Sequence, residues 1–262
     1  MKRIVLSFLM LLCMATIYAQ KVKHPSLLYT PERIQSVKNR IAREPEVAEC
    51  WKQIKETADK KLQNGGLNDV EYLSLTYLMT GEKKYSDRIK KILLDVIQAK
   101  TWGSAEMLAR IPVWTADLGL SHKAHLSAIA YDAIYNDLST SERKEIALGL
   151  KRLALDPSLG DWLLEPTRIH ALNSNWWTSC VCMGGLLALS LQNEIPEAKE
   201  GARFLNEALP EWFSFAGDVL QQKPKSFDDA GGMYESLNYA NFGIQEALKF
   251  RLAWMNMNPG ER

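Results

Sequence analysis

The feature that most constrains the fold is a succession of amphipathic helices joined by turn residues. From Ile34 onward, apolar residues recur at spacings of three and four, and no segment alternates apolar and polar residues as a half-buried strand does. The first helix is predicted to begin at Thr30, Pro31 and Glu32. Threonine is a preferred N-cap, proline is suited to the first helical position, and an acidic side chain is stabilising in the first turn. The sequence therefore predicts an all-α fold.

The helices are predicted to form antiparallel hairpins. A helix after Pro45 ends at Asn64, and a pair follows at about 69–80 and 85–99. Further helices are predicted near 118–135, 140–154, 174–192, 196–220 and 239–256. No repeat of fixed period is visible, which disfavours a regular solenoid and leaves a ring of hairpins or an irregular bundle.

The first nineteen residues have the layout of a secretory signal peptide. Lys2 and Arg3 precede an apolar stretch, Ile4–Tyr18, and a small residue, Ala19, ends it. The apolar stretch is shorter than the roughly 20 residues that a membrane-spanning helix needs. We therefore expect the leader to be removed, one helical domain to occupy residues 20–262, and the mature protein to be periplasmic or secreted, with no membrane attachment.

The charge balance of the whole chain gives no indication of an anionic partner. The chain has 32 basic and 31 acidic residues, and removing Lys2 and Arg3 with the leader leaves 30 against 31. No basic run and no nucleic-acid-binding motif occurs, so nucleic acid is not an expected partner. An anionic ligand would have to be held by a local group of side chains rather than by the charge of the whole surface.

Four segments resemble, in the same order, those of a known enzyme superfamily. They are His24–Thr30 (HPSLLYT), Ala128–Arg143 (AIAYDAIYNDLSTSER), Asn173–Leu186 (NSNWWTSCVCMGGL) and Gly231–Gly243 (GGMYESLNYANFG). Their patterns are similar to those of the heparinase II/III and alginate lyase superfamily. In the last segment the acid follows the first tyrosine directly, which departs from the family's spacing. Together the four segments span nearly the whole chain after the leader.

The resemblance implies both a fold and a reaction. Members of the superfamily combine an incomplete (α/α) toroid of antiparallel helical hairpins with a C-terminal β-sandwich region, and we expect that region to be absent from this chain, leaving a toroid domain that is C-terminally incomplete and weakly active. The implied function is a secreted polysaccharide lyase that cleaves an acidic, uronic-acid-containing polysaccharide by β-elimination. Heparan sulfate, alginate and related polymers are all compatible. No cofactor is implied, no metal-binding spacing occurs, and the oligomeric state stays open.

β-Elimination requires a neutralised carboxylate, an acid and a base. The C5 proton of a uronate is poorly acidic while the neighbouring carboxylate is charged, so hydrogen-bond donors must neutralise that carboxylate. By resemblance, Asn175 or Asn173 supplies these donors, with Asn175 favoured. Tyr239 matches the family's catalytic tyrosine, which serves as acid and, where adjacent positive charge lowers its pKa, as base. Without the resemblance, the asparagines fit a helix cap and a buried amide, and Tyr239 fits a core aromatic.

A further set of residues is predicted to bind substrate, because indole faces suit sugar rings and a guanidinium suits a carboxylate or a sulfate. The set is Trp176, Trp177, His170, Tyr234, Glu235 and Arg110. At least one of the two tryptophans is expected to be buried packing. Ser174 stands where several relatives have a catalytic histidine, and serine cannot carry positive charge. The site would then rely on His170 or on a histidine beyond this chain.

Two other function classes stay open. A glycoside hydrolase on an α/α barrel needs two carboxyl groups flanking the scissile bond, which Glu235 with Asp228 or Asp229 can supply. A non-catalytic carbohydrate-binding protein is consistent with serine at position 174. The product separates the two enzymes, because β-elimination leaves an unsaturated, ultraviolet-absorbing sugar and hydrolysis does not.

Overall fold

The computed structural model describes residues 22–164, 174–214, 230–233 and 235–260. Within these ranges the secondary structure is helical and contains no β-strand, which confirms the predicted all-α class. The α-helices are α1 (Pro31–Ile41), α2 (Pro45–Asn64), α3 (Val70–Thr80), α4 (Lys83–Val96), α5 (Ala105–Leu108), α6 (Leu118–Ile134), α7 (Thr140–Leu150), α8 (Asp156–Leu159), α9 (Asn175–Leu191), α10 (Pro196–Ser214) and α11 (Leu237–Met257). None of these helices is long and apolar enough to cross a lipid bilayer.

Local capping explains where several predicted helices begin and end. The Thr30 side chain accepts the N–H of Arg33 at the start of α1, and Ser139 and Glu142 form a reciprocal capping box at the start of α7. Gly81 ends α3 with a left-handed φ of 73°, a conformation that favours glycine. One predicted helix differs: after Leu150 the segment Lys151–Leu155 continues as a wider π-helical turn.

The core is built around α9, nearly all of which is buried. Helix α6 packs between α3 and α9, and α9 packs between α6 and α11, so these four helices are neighbours in one row. Helix α4 packs against α3 and α6, and α10 packs against α9 and α11. Gly185 of α9 lies against Leu205 of α10 and Phe250 of α11, and a methyl group there would collide with both side chains. The absence of a side chain at this position therefore lets three helices approach closely.

The N-terminal segment is fastened to this core through α6. Asp132 is 3% exposed, and its carboxylate accepts hydrogen bonds from His24 Nδ1 and from the backbone N–H groups of Ser26 and Leu27. Tyr131 is fully buried, and its hydroxyl group donates to a carboxylate oxygen of Glu194 at 2.8 Å. Asp132 thus holds the N-terminal segment, and Tyr131 holds the turn that follows α9.

Candidate functional site

The N-terminus of α9 holds a carboxylate. The backbone N–H of Asn175, the first residue of α9, donates to Glu235 Oε2 at 2.6 Å. The Asn175 side-chain nitrogen lies 2.9 and 3.1 Å from the two oxygens of the same carboxylate. The structure thus brings together two predicted site residues that are 60 positions apart in the chain.

This arrangement is electrostatically suited to an anion. The free N–H groups at a helix N-terminus carry partial positive charge, and an amide nitrogen adds two further donors. Hydrogen bonds to a charged carboxylate are shorter and stronger than neutral ones, in keeping with the 2.6 Å separation at the backbone nitrogen. Asn175 is only 2% exposed, and Thr178 Oγ1 donates to its carbonyl oxygen, so the donors are held in place.

Tyr239 lies one turn into the helix that follows Glu235. Ser236 caps α11 by accepting the backbone N–H of Tyr239 at 3.3 Å, so the segment that brings Glu235 to Asn175 also fixes the start of α11. Tyr239 is 52% exposed. This exposure rules out the alternative interpretation of Tyr239 as a core aromatic and leaves its side chain accessible to a ligand.

An aromatic wall adjoins the α9 N-terminus; we use this name for Trp114, Trp162, Trp176 and Arg110, which lies over the Trp114 ring. Trp114 meets Trp176 and Trp162 edge to face, with ring centroids 5.8 and 5.4 Å apart. The guanidinium carbon of Arg110 lies 4.4 Å from the Trp114 ring centroid. Two predicted substrate-binding residues, Arg110 and Trp176, are therefore joined through Trp114.

Sequence reasoning did not select Trp114 or Trp162 as site residues. Trp114 belongs to the same loop as Arg110, and Trp162 lies in the π-helical turn Gly160–Leu164. Its place in the same loop as Arg110 is the one sequence feature that could have indicated that Trp114 lies near the site. Nothing in the spacing of Trp162 indicates its position, because its contacts join segments that are distant in the chain.

Trp177 is a packing residue in this structure. It is fully buried, its Nε1 donates to the carbonyl oxygen of Trp162 at 2.7 Å, and its ring stacks on that of Trp212. Because no face of the indole is exposed, the predicted contact between Trp177 and a sugar is not supported. The expectation that at least one of the paired tryptophans packs in the core is met by this residue.

Several predicted residues lie outside the part of the chain that the structure describes. They are His170, Asn173 and Tyr234, together with Asp228 and Asp229 of the glycoside hydrolase alternative. Their proposed roles remain predictions. Asn175, Glu235, Tyr239, Trp176 and Arg110 carry the described part of the site.

A second polar cluster lies across α3, α6 and α11. His125 Nε2 is 3.1 Å from Glu71 Oε1, and Lys249 Nζ is 3.3 Å from the buried Glu246 carboxylate. The hydrogen bond from His125 holds the pKa of the Glu71 carboxyl below its usual value of 4.5, and the positive charges of His125, Lys249 and His122 act in the same direction against the effect of burial. Within the described ranges, no three His, Cys, Asp or Glu side chains are arranged to hold a metal ion.

The lowered pKa of Glu71 predicts a pH-dependent contribution to stability. A carboxyl whose pKa is lower in the folded state stabilises the fold above its unfolded pKa, and this contribution is lost as the pH falls through the folded value. We expect Glu71→Gln to lower the melting temperature at neutral pH. The corresponding loss in the free energy of unfolding should be less than about 1 kcal/mol, because the Glu71 side chain is partly exposed. The difference from wild type should close below about pH 4.

Thermal denaturation from acidic to neutral pH measures this difference. Glu145→Gln is the matched control, since Glu145 is exposed on α7. A Glu71→Gln variant whose difference from wild type is the same at every pH would contradict the predicted linkage.

A separate cavity of about 570 Å³ lies between the N-terminal segment and the ends of α9 and α11. Asn193 in its wall donates to the carbonyl oxygen of Val22 and accepts the N–H of the same residue, and Asn256 donates to the carbonyl oxygen of Leu27. These amides hold the chain itself. The cavity therefore lies where the N-terminal segment packs on the helix ends, at the opposite end of α9 from Asn175.

Asn175 at the α9 N-terminus supplies donors to a carboxylate, the next residue, Trp176, belongs to the aromatic wall, and the exposed Tyr239 follows Glu235 by four residues. This combination is suited to an acidic, ring-containing ligand. The chain is matched by no protein-family model and by no curated protein.

Proposed function

We propose that this protein is a polysaccharide lyase that cleaves a uronic-acid-containing polysaccharide by β-elimination. The observation that supports the proposal most is the convergence of the Asn175 amide and the first N–H of α9 on a single carboxylate. A uronate presents the same two oxygens as Glu235 and would meet the same donors once Glu235 is displaced. Neutralising the uronate in this way makes its C5 proton easier to remove.

Tyr239 is the proposed acid and base. As phenolate it takes the C5 proton, the electrons of that C–H bond form the C4=C5 double bond, and the C4–O bond breaks. The departing O4 then takes a proton from the phenol, which regenerates the phenolate. The exposure of Tyr239 supports this role, and its position one turn beyond Glu235 supports its proximity to the donors at Asn175.

The finer architecture belongs to the same proposal. Successive hairpins contribute α3, α6 and α9 to one row, and α11 continues it. We propose that this row is the inner wall of an incomplete α/α toroid, with α4 and α10 on the outside. The N-termini of α9 and α11 would then share one rim, and the leader at residues 1–19 would direct the protein to the periplasm or the exterior.

A cleavage assay on a panel of acidic polysaccharides tests the proposal. The expected result is an unsaturated, ultraviolet-absorbing product, and Tyr239→Phe should lower its rate of formation by about a hundredfold or more, because only the hydroxyl group is removed. Tyr72→Phe removes a hydroxyl group from another exposed tyrosine and should leave the rate unchanged.

Two outcomes would overturn the lyase assignment in different directions. New reducing ends without ultraviolet absorbance would indicate a glycoside hydrolase. Polysaccharide binding without any product would indicate a non-catalytic carbohydrate-binding protein.

A further inference from the structure

Arg110 is the charged member of the aromatic wall. It stacks on Trp114, and its side chain is 41% exposed, so the guanidinium is within reach of a ligand. Stacking fixes the plane of a guanidinium and leaves the N–H groups along its edge able to pair with a carboxylate or a sulfate. Its ion partner Glu106 is 3.6 Å away and mostly exposed, so this pair is weak and exchangeable.

Two ring contacts connect Arg110 to the residue next to Asn175. Trp176 follows Asn175 directly, its ring centroid is 5.8 Å from that of Trp114, and Arg110 lies a further 4.4 Å from Trp114. The contacts that link Arg110 to Asn175 therefore run through the indole rings of Trp114 and Trp176. A ligand that follows this aromatic wall from Asn175 to Arg110 suits a second sugar residue better than a second substituent on the uronate ring.

We infer that Arg110 binds a carboxylate or sulfate on the sugar residue next to the uronate held at Asn175. The inference rests on the proposed function and narrows its substrate class to polymers that carry negative charge on neighbouring sugars. A homopolyuronate supplies a carboxylate on each ring, and a sulfated uronate–hexosamine polymer supplies a sulfate on the neighbour. An unsulfated uronate–N-acetylhexosamine polymer has a neutral neighbour and lacks the group that Arg110 would bind.

Calorimetric binding and initial cleavage rates on these three polymers test the inference. Arg110→Gln should raise the apparent Kd for the homopolyuronate or the sulfated polymer about tenfold, and should leave the unsulfated polymer unaffected. Arg110→Lys keeps the charge but loses the planar fork, so an intermediate loss is expected. Arg203→Gln, which removes an exposed charge from α10, is the control for net charge and should change none of the three.

The pattern of losses identifies the anion and separates the two proposals. A loss confined to the homopolyuronate assigns a carboxylate, and a loss confined to the sulfated polymer assigns a sulfate. If wild type cleaves a uronate polymer but Arg110→Gln weakens all three equally, or none, the inference fails and the lyase proposal stands. If wild type neither binds nor cleaves any of them, both fail. The circular dichroism spectrum of Arg110→Gln shows whether the variant is folded. An intermediate loss of binding in Arg110→Lys shows that the side chain acts through its charge and shape rather than through the fold.

Discussion

Replacing Asp132 by alanine is expected to lower the free energy of unfolding by about 3–5 kcal/mol, because each buried donor left without an acceptor costs about 1–3 kcal/mol. The substitution removes the acceptor of three donors at once: His24 Nδ1 at 2.7 Å and the backbone N–H groups of Ser26 and Leu27 at 3.0 to 3.1 Å. Buried donors without acceptors lose their hydration and regain nothing in the folded state.

The surrounding network prevents His24 from compensating for this loss. Asn193 accepts the N–H of Val22 and donates to its carbonyl oxygen, which fixes the orientation of the amide, so the amide nitrogen faces His24 Nε2 as a donor. The imidazole therefore accepts at Nε2 and carries its hydrogen at Nδ1, directed at Asp132. Stacking on Tyr135, with ring centroids 3.9 Å apart, holds the ring in this position.

Urea unfolding of wild type and variants measures the effect. Asp132→Asn keeps one acceptor oxygen and should lose less stability than Asp132→Ala. Asp156→Ala, which removes an exposed carboxylate paired with Lys151, is the control and should stay within about 0.5 kcal/mol of wild type. An Asp132→Ala variant as stable as this control would show that the N-terminal segment contributes little to the fold.

The helix pattern could be predicted from sequence because its signals are local. Thr30 and Ser139 cap helices with their own side chains, and Gly81 adopts the left-handed conformation that ends α3. The π-helical turn Lys151–Leu155 gives no such signal, since it depends on how the chain fits between α6, α7 and α9. The packing of four helices in a row is likewise a property of distant contacts.

In the candidate site, too, the features set by distant contacts could not be predicted from the sequence. Motif resemblance selected Asn175 and Glu235 separately, but their contact joins two helix starts that no local spacing relates. The full burial of Trp177 beside the partly buried Trp176 could not be predicted from periodicity, because α9 is apolar on nearly all sides and has no polar face that would show which side faces solvent. The exposure of Tyr239 could not be predicted from the sequence either, because an aromatic residue at helical spacing fits a buried position equally well.

Asn175→Asp is expected to make the stability of the protein strongly dependent on pH. The new carboxylate would lie about 3 Å from the Glu235 carboxylate, in the place of the present amide nitrogen. Two like charges so close raise the pKa of one of them by roughly two units, which corresponds to about 3 kcal/mol. Because the raised pKa belongs to the folded state, the folded protein binds more protons than the unfolded chain, and the variant loses stability as the pH rises from about 4 to neutral.

Thermal denaturation of four proteins across this range tests the prediction: wild type, Asn175→Asp, Glu235→Gln and the double variant. The double variant exchanges the amide and the carboxylate, so it should recover most of the stability and lose the pH dependence. Asn238→Asp introduces the same charge at an exposed position in the first turn of α11 and should not reproduce the effect. Equal pH profiles for Asn175→Asp and Asn238→Asp would argue that Asn175 and Glu235 are not in contact in solution.

The same four proteins separate the structural role of Asn175 from its proposed catalytic role. If the amide neutralises the substrate carboxylate, the double variant should recover stability but stay at least about a hundredfold less active than wild type, because an aspartate repels the uronate that an asparagine binds. Glu235→Gln alone removes the carboxylate that competes with the uronate for these donors, so its KM should not rise; a higher KM would instead support the predicted contact of Glu235 with substrate. If the double variant recovers full activity as well as stability, Asn175 has only a structural role. The group that neutralises the substrate carboxylate beside Tyr239 would then be a different one.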